Sequence, residues 1–135
     1  MSSKVAIVTG ASSGIGAAIA VALAKAGCNV VATYGGNRDG GEATVRTCEI
    51  EGVQAIAVKA DISRDEDCRA VAQAAIDKWG RIDVLVNNAG TTRFADASDL
   101  DALDADDFER IFSVNVAGCY QMTRAASSQI GRAHV

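Results

Sequence analysis

Val5-Ala6-Ile7-Val8-Thr9-Gly10-Ala11-Ser12-Ser13-Gly14-Ile15-Gly16 is the stretch that decides the fold. Its first four residues are an apolar run too short for a helix and suited to a buried strand. Thr9-Gly10 ends the run. An Ala-rich amphipathic helix is predicted from about Gly14 to Ala26, stopping at Gly27. A strand that passes through a glycine-rich turn straight into a helix is the setting that a dinucleotide-binding turn requires. Gly10 lets the chain leave the strand sharply. Gly14 leaves backbone N–H groups open to a pyrophosphate, with no Cβ in the way. Gly16 lets the helix lie close to the sheet. The helix N-terminus supplies the positive end for the anion. The spacing is Gly-x3-Gly-x-Gly, not Gly-x-Gly-x-x-Gly, and the competing possibility is a loop that merely turns.

Outward from this turn, short β-type runs alternate with helical patterns. Strands are predicted over Asn29–Tyr34, 53–58 and 82–86, and a helix over 41–51 after the loop Gly35-Gly36-Asn37-Arg38-Asp39-Gly40. The next helix carries a capping-box pattern in Ser63 and Glu66. Cys68, Val71, Ala72, Ala75, Ile76 and Trp79 follow it at helical spacing. Residues 96–109 hold seven acids and no base, which reads as a solvated loop. Its last acids, Asp106, Asp107 and Glu109, suit the start of a final helix. That helix places Phe108, Ile111, Phe112, Asn115, Cys119 and Met122 on one apolar stripe, with Asn115 buried. Strands alternating with helices predict an α/β fold with a doubly wound parallel sheet in the order 3-2-1-4.

The 135 residues suit one domain. Lys and Arg total 13 and Asp and Glu 17, a net charge of −4 with no basic cluster, so nothing draws the chain to nucleic acid or anionic lipid. No apolar stretch approaches the roughly 20 residues of a membrane span. The four cysteines lack a Cys-x-x-Cys pair and His134 is the one histidine, so no metal site is expected. The cysteines read as small apolar side chains in a reducing cytoplasm.

A second motif, Asn87-Asn88-Ala89-Gly90, follows the fourth strand directly. Strands 1 and 4 are neighbours in a 3-2-1-4 sheet, so both turns should face one crevice at the strands' carboxyl ends. Asp61 closes the third strand at the same edge, where it is placed to accept from an adenine amino group or to serve as a plain turn carboxylate. Asn115 on its apolar stripe must be hydrogen-bonded. It bonds either to a neighbouring backbone group or as part of a polar relay.

Thr9-Gly10-x3-Gly14-Ile15-Gly16, Asp61-Ile62, Asn87-Asn88-Ala89-Gly90 and Asn115-Val116-x-Gly118 together resemble, in order and spacing, the N-terminal half of a classical short-chain dehydrogenase/reductase. The general run of residues is similar to the 3-oxoacyl-carrier-protein reductase and sugar/alcohol dehydrogenase branches. The resemblance implies a Rossmann-type domain over 1–129. It also implies hydride transfer between a nicotinamide and a carbonyl or alcohol carbon of a small molecule, and a homodimer or homotetramer of the full-length protein. It implies cofactor contacts at Gly10, Ser12, Ser13, Gly14, Ile15, Gly16, Gly35, Asn37, Arg38, Asp61, Ile62, Asn88, Ala89 and Gly90, and a water-holding relay role for Asn115.

The family's Tyr-x3-Lys pair is missing. The tyrosines are Tyr34 and Tyr120, with Arg38 and Arg124 four residues later. Tyr120 and Arg124 read as an ordinary helical pair. The chain alone is therefore expected to be inactive, the cofactor-binding half of an enzyme. The alternative is a dinucleotide-binding module without chemistry. A fifth strand would flank the fourth in the family. The outer edge of 82–86 and Phe108, Ile111 and Phe112 are therefore expected to be left partly open. No acid stands at the end of the second strand to hold a ribose hydroxyl. Asn37 and Arg38 are available there for a 2′-phosphate, which predicts NADP(H) over NAD(H). Residues 130–135, Ile-Gly-Arg-Ala-His-Val, match the translation of a common sequencing adapter and are expected to be a non-native tail.

Overall fold

The computed structural model describes residues 3–91 and 97–130. Residues 131–135 of the expected tail, and Asp96 of the acidic run, lie outside the described residues. Four parallel strands, β1 (Val5–Val8), β2 (Asn29–Tyr34), β3 (Ala55–Lys59) and β4 (Val84–Val86), pair in the order β3-β2-β1-β4. Val5 faces Asn29 and Val8 faces Ala32 across β1 and β2, while Ala6 to Val8 run beside Val84 to Val86. Parallel neighbours need crossovers. These are α1 (Gly14–Lys25), α2 (Arg38–Ile50) and α3 (Asp65–Trp79). The doubly wound α/β architecture is the one the sequence predicts.

The strand period of two divides the core. Val8, Val30 and Ala32 point to one face, where Ala20, Ala24 and Cys48 of α1 and α2 cover them. Val5, Ile7 and Val31 point to the other, under Cys68, Val71 and Ala75 of α3 and Met122 and Ala126 further on. The buried side of α1 is Gly16, Ala20 and Ala24, small residues that bring its backbone near the sheet. Ile130 also packs against the second of these clusters. At the strands' amino ends Asp83 ties β1 to β4: it accepts from Val5 N at 2.8 Å and from Arg81 at 2.6 and 2.7 Å.

Several local expectations are corrected. The helix predicted from residue 41 begins at Arg38, because the Asn37 side chain caps it by accepting from Gly40 N at 2.9 Å. The Ser63–Glu66 capping box does not form. Asp61 is a nearer acceptor and takes the Ser63 hydroxyl at 2.6 Å, while Glu66 pairs with Arg64. The acidic run is not loop to its end. Asp104 and Asp107 close a capping box that starts α4 (Ala105–Phe112).

A π-helical turn, Ser113–Ala117, then joins α4 to α5 (Gly118–Ser127). Its i→i+5 bonding shifts the phase of the following helix, so the predicted stripe is not one face. Met122 is fully buried, whereas Phe108 and Phe112 are 65% and 61% exposed. Asn115 is exposed, not buried. Among the described residues no strand pairs with the outer edge of β4, and Phe108 and Phe112 of this helix are exposed, both as expected from the sequence.

All four cysteines are free, and burial pushes the Cys68 thiol up to about 11, which makes it inert. Among the described residues no cluster of metal-ligating side chains occurs, and no helix is long and apolar enough to cross a membrane.

Candidate functional site

The turn after β1 is held from all sides before any ligand is considered. Thr9 is fully buried, and its Oγ1 accepts from Asn88 N and Ala89 N, both at 3.0 Å. Asn88 returns its side-chain amide to Gly10 O at 3.1 Å. Gly10 N donates to Thr33 Oγ1 at 3.2 Å, and Ala11 N to Thr33 O at 2.9 Å. Thr44 of α2 donates to Ala11 O at 2.7 Å. The turn is thus bonded to β2, to the β4 turn and to α2, and the N–H and C=O groups of Gly10 and Ala11 all have internal partners.

What remains unsatisfied is the start of α1. Ser13 stands at the N-cap with no side-chain cap bond, and the first turn holds no acid. The starts of α2, α3 and α4 differ, and α5 continues directly out of the π turn with a helical residue, Ala117, before it. An Asn37 cap begins α2, Asp65, Glu66 and Asp67 fill the first turn of α3, and the Asp104 box begins α4. An uncapped, acid-free N-terminus is the one suited to an external anion. Gly14 has φ +57°, and a Cβ built on it meets nothing within 4 Å, so the chain is open to its surroundings on that side of the first turn. Gly16 is the opposite case. Its Cβ would fall 2.2 Å from Gly10 O and 2.4 Å from Asn88 Nδ2. A pyrophosphate cradle fits here: open donors at the front, close packing behind.

This end of the sheet opens into a cavity of about 760 Å³, within the usual range for ligand sites. Of the residues predicted from sequence, the structure brings Gly10, Ser12, Ser13, Gly35, Asp61, Ile62, Asn88, Ala89 and Gly90 around it. Gly14, Ile15, Gly16, Asn37, Arg38 and Asn115 do not line it. Sequence reasoning missed Val114 and Arg110, which reach the cavity from the π turn and α4, and Lys59 at the end of β3. The available signal was their place: Val114 precedes Asn115, and Arg110 lies one helical turn before Val114. Asp61 Oδ1 accepts from Ser63 N and Oγ, and that hydroxyl bond, first, holds its carboxyl below the usual carboxylate range. Asp61 is charged at neutral pH, beside Arg110 and Arg64.

The corner after β2 holds no acid. Gly35 and Gly36 leave it open, with nothing within 4 Å of either Cβ position. Arg38 lies beside it, with Nε donating to Glu42 Oε1 at 2.9 Å along the exposed side of α2.

Asn115 joins the β4 turn to the helix. Its Oδ1 accepts from Thr91 N at 2.7 Å and its Nδ2 donates to Thr91 O at 2.8 Å, a two-point clamp on one peptide segment. Asn87 makes a parallel tie, donating to Thr123 Oγ1 at 3.1 Å. Tyr120 lies under the Arg124 guanidinium, 5.1 Å from its ring centre, and Arg124 binds Asp65 at 2.7 Å. This pair is a helix-surface contact, as the sequence suggests.

Comparison with known proteins adds the family. An uncharacterised oxidoreductase of Methylorubrum extorquens is 47% identical over 128 residues, covering 95% of this chain and 50% of its own length. A 3-oxoacyl-[acyl-carrier-protein] reductase of Synechocystis is 38% identical over 127 residues, with 94% and 50% covered. The chain thus spans about half the length of these relatives. Among solved structures, a short-chain dehydrogenase/reductase from Burkholderia xenovorans superposes with a TM-score of 0.92 at 40% identity, over 96% of this chain and 53% of its own. A blue fluorescent protein from a metagenomic library, in complex with NADPH, gives 0.85 at 35% identity, over 96% and 52%. An NAD+-bound xylitol dehydrogenase gives 0.85 at 32% identity, over 95% and 48%. The family model for short chain dehydrogenase matches residues 4–134, so the chain belongs to that family.

Proposed function

We propose that the protein carrying this chain transfers a hydride between a nicotinamide dinucleotide and a carbonyl or alcohol carbon of a small molecule, with NADP(H) preferred. The observation that carries the cofactor half is the uncapped, acid-free start of α1 facing open space at Gly14, on the rim of a cavity of about 760 Å³. The bound nicotinamide supplies or accepts the hydride. This chain's residues bind and orient. The α1 N-terminus takes the pyrophosphate, Asp61 and Val114 border the adenine end, and Gly90 with Ala89 leaves room along the β4 turn. Arg38 takes the 2′-phosphate, and no carboxylate at the end of β2 opposes it.

Asn115 is proposed to act in the proton relay as a positioning residue. Both polar atoms of its side chain hold Thr91, so it fixes the β4 turn against the π turn. The family's Tyr-x3-Lys has no counterpart in this sequence, and no residue of it is assigned the proton-donating step. That absence also favours a second reading, a dinucleotide-binding module without turnover. A cytoplasmic homo-oligomer remains the proposed state of the whole protein.

The test takes the full reading frame. Titration with NADPH and NADH by cofactor fluorescence should give the lower Kd for NADPH, and addition of a panel of small ketones should consume it. Tighter NADH binding refutes the cofactor preference. Binding without turnover on any ketone selects the module.

A further inference from the structure

The position of Arg38 is a choice of rotamer, not of backbone. The first turn of α2 is pressed against the β1 turn: a Cβ on Gly40 would fall 2.3 Å from Ser12 O, and Asn37 caps Gly40 N at 2.9 Å. The Cα of Arg38 is therefore fixed next to Gly35 and Gly36, which line the cavity. The guanidinium is not in the cavity. It lies one helical turn down α2, with Nε on Glu42 Oε1.

We infer that Glu42 is a specificity-determining residue for the cofactor: it latches Arg38 along α2, away from the cavity corner, and so weakens the preference for a 2′-phosphate. This rests on the proposed role of Arg38 as the 2′-phosphate partner. Both side chains are exposed, 74% for Arg38 and 44% for Glu42, and an exposed i,i+4 pair is weak. A phosphate dianion offers the planar guanidinium two charge-assisted bonds where Glu42 offers one, so the latch yields to NADP(H). A cofactor ending in a ribose hydroxyl offers no such exchange and leaves Arg38 on Glu42. The latch sets how much of the Arg38 charge NADP(H) gains by entering.

The test measures Kd for NADPH and NADH in the full-length wild type, Glu42→Gln, Arg38→Gln and the double variant, with helix content checked by circular dichroism. Glu42→Gln should tighten NADPH about two- to five-fold, the size of an exposed ion pair, with NADH unchanged. The gain should vanish in the Arg38→Gln background, and it should shrink at high salt. If Arg38→Gln weakens NADPH while Glu42→Gln leaves the NADPH-to-NADH ratio unchanged, or weakens NADPH, the latch is wrong and the cofactor assignment stands. If Glu42→Gln tightens NADPH equally with and without Arg38, Glu42 acts by direct repulsion and the latch is wrong. If Arg38→Gln leaves the ratio unchanged, the cofactor assignment fails and the latch fails with it.

Discussion

Two turns stand side by side at the carboxyl edge of the sheet. In the turn after β1, Gly10 is closed in by the Ala89 backbone and Gly16 by Gly10 O and the Asn88 amide, and Thr9, Thr33, Thr44 and Asn88 bond its peptide groups or those of the β4 turn. In the turn after β2, Gly35 and Gly36 face open space, and the polar side chains Asn37 and Arg38 bond within their own helix. The first turn is held by three neighbours and cannot shift without moving them. The second is held by α2 alone. The proposed pyrophosphate contact, shared by both nicotinamide dinucleotides, falls at the first. The proposed 2′-phosphate contact, which separates one cofactor from the other, falls at the second, where neither glycine is packed against a neighbour.

The contrast predicts a graded set of effects. Gly16→Ala places a Cβ 2.2 Å from a carbonyl oxygen that cannot retreat, so it should cost ~3 kcal/mol in urea unfolding, at the top of the overpacking range. A loss below ~1 kcal/mol would mean that α1 slides freely on the turn. Thr9→Val keeps the volume but leaves Asn88 N and Ala89 N without their acceptor. The expected loss is ~2 kcal/mol by the same measurement.

A change at the opposite end of the same two strands separates turn effects from general weakening of the sheet. Asp83→Asn removes the carboxylate that binds Arg81 and Val5 N and should cost about 1–2 kcal/mol at pH 7. Arg81, first, holds the Asp83 carboxyl below its ordinary value. Its stabilisation is therefore present above the unfolded carboxyl pKa of about 4 and is lost as pH falls through the lower folded value. The gap between wild type and variant should stay constant from neutrality to about pH 4 and close below it. A gap that closes toward alkaline pH would contradict the assignment.

Smallest of all, Gly35→Ala should change stability by less than ~0.5 kcal/mol, since its φ is not positive and nothing lies near. A large loss there would erase the contrast between the turns.

The rigid turn was legible in the sequence and the adjustable one only in part: its open glycines were, the start of α2 was not. Gly10, Gly14 and Gly16 sit at fixed offsets from a strand end, and each offset has a steric cause that spacing alone reveals. The strand order followed from the βαβ alternation. The start of α2 was missed because Asn37 reads equally as loop or cap, and only the bond to Gly40 N decides. The Ser63–Glu66 box was a valid pattern that lost to Asp61, a competitor two residues away. The burial of Asn115 was misread because a π turn breaks the 3.6-residue period on which the stripe was drawn. Val114 and Arg110 carry no motif and reach the cavity only through the path of that turn.

The central claim is that the open α1 N-terminus takes the dinucleotide phosphates, and Gly14→Val in the full-length protein tests it most directly. The site has room for the side chain, so strain at φ +57° should cost only about 1–2 kcal/mol and the fold should survive. The added methyls stand where the phosphate meets the N–H groups, so titration should show at least about a ten-fold loss for NADPH and NADH alike, ~1.4 kcal/mol. A folded variant with wild-type affinity for both cofactors would contradict the account.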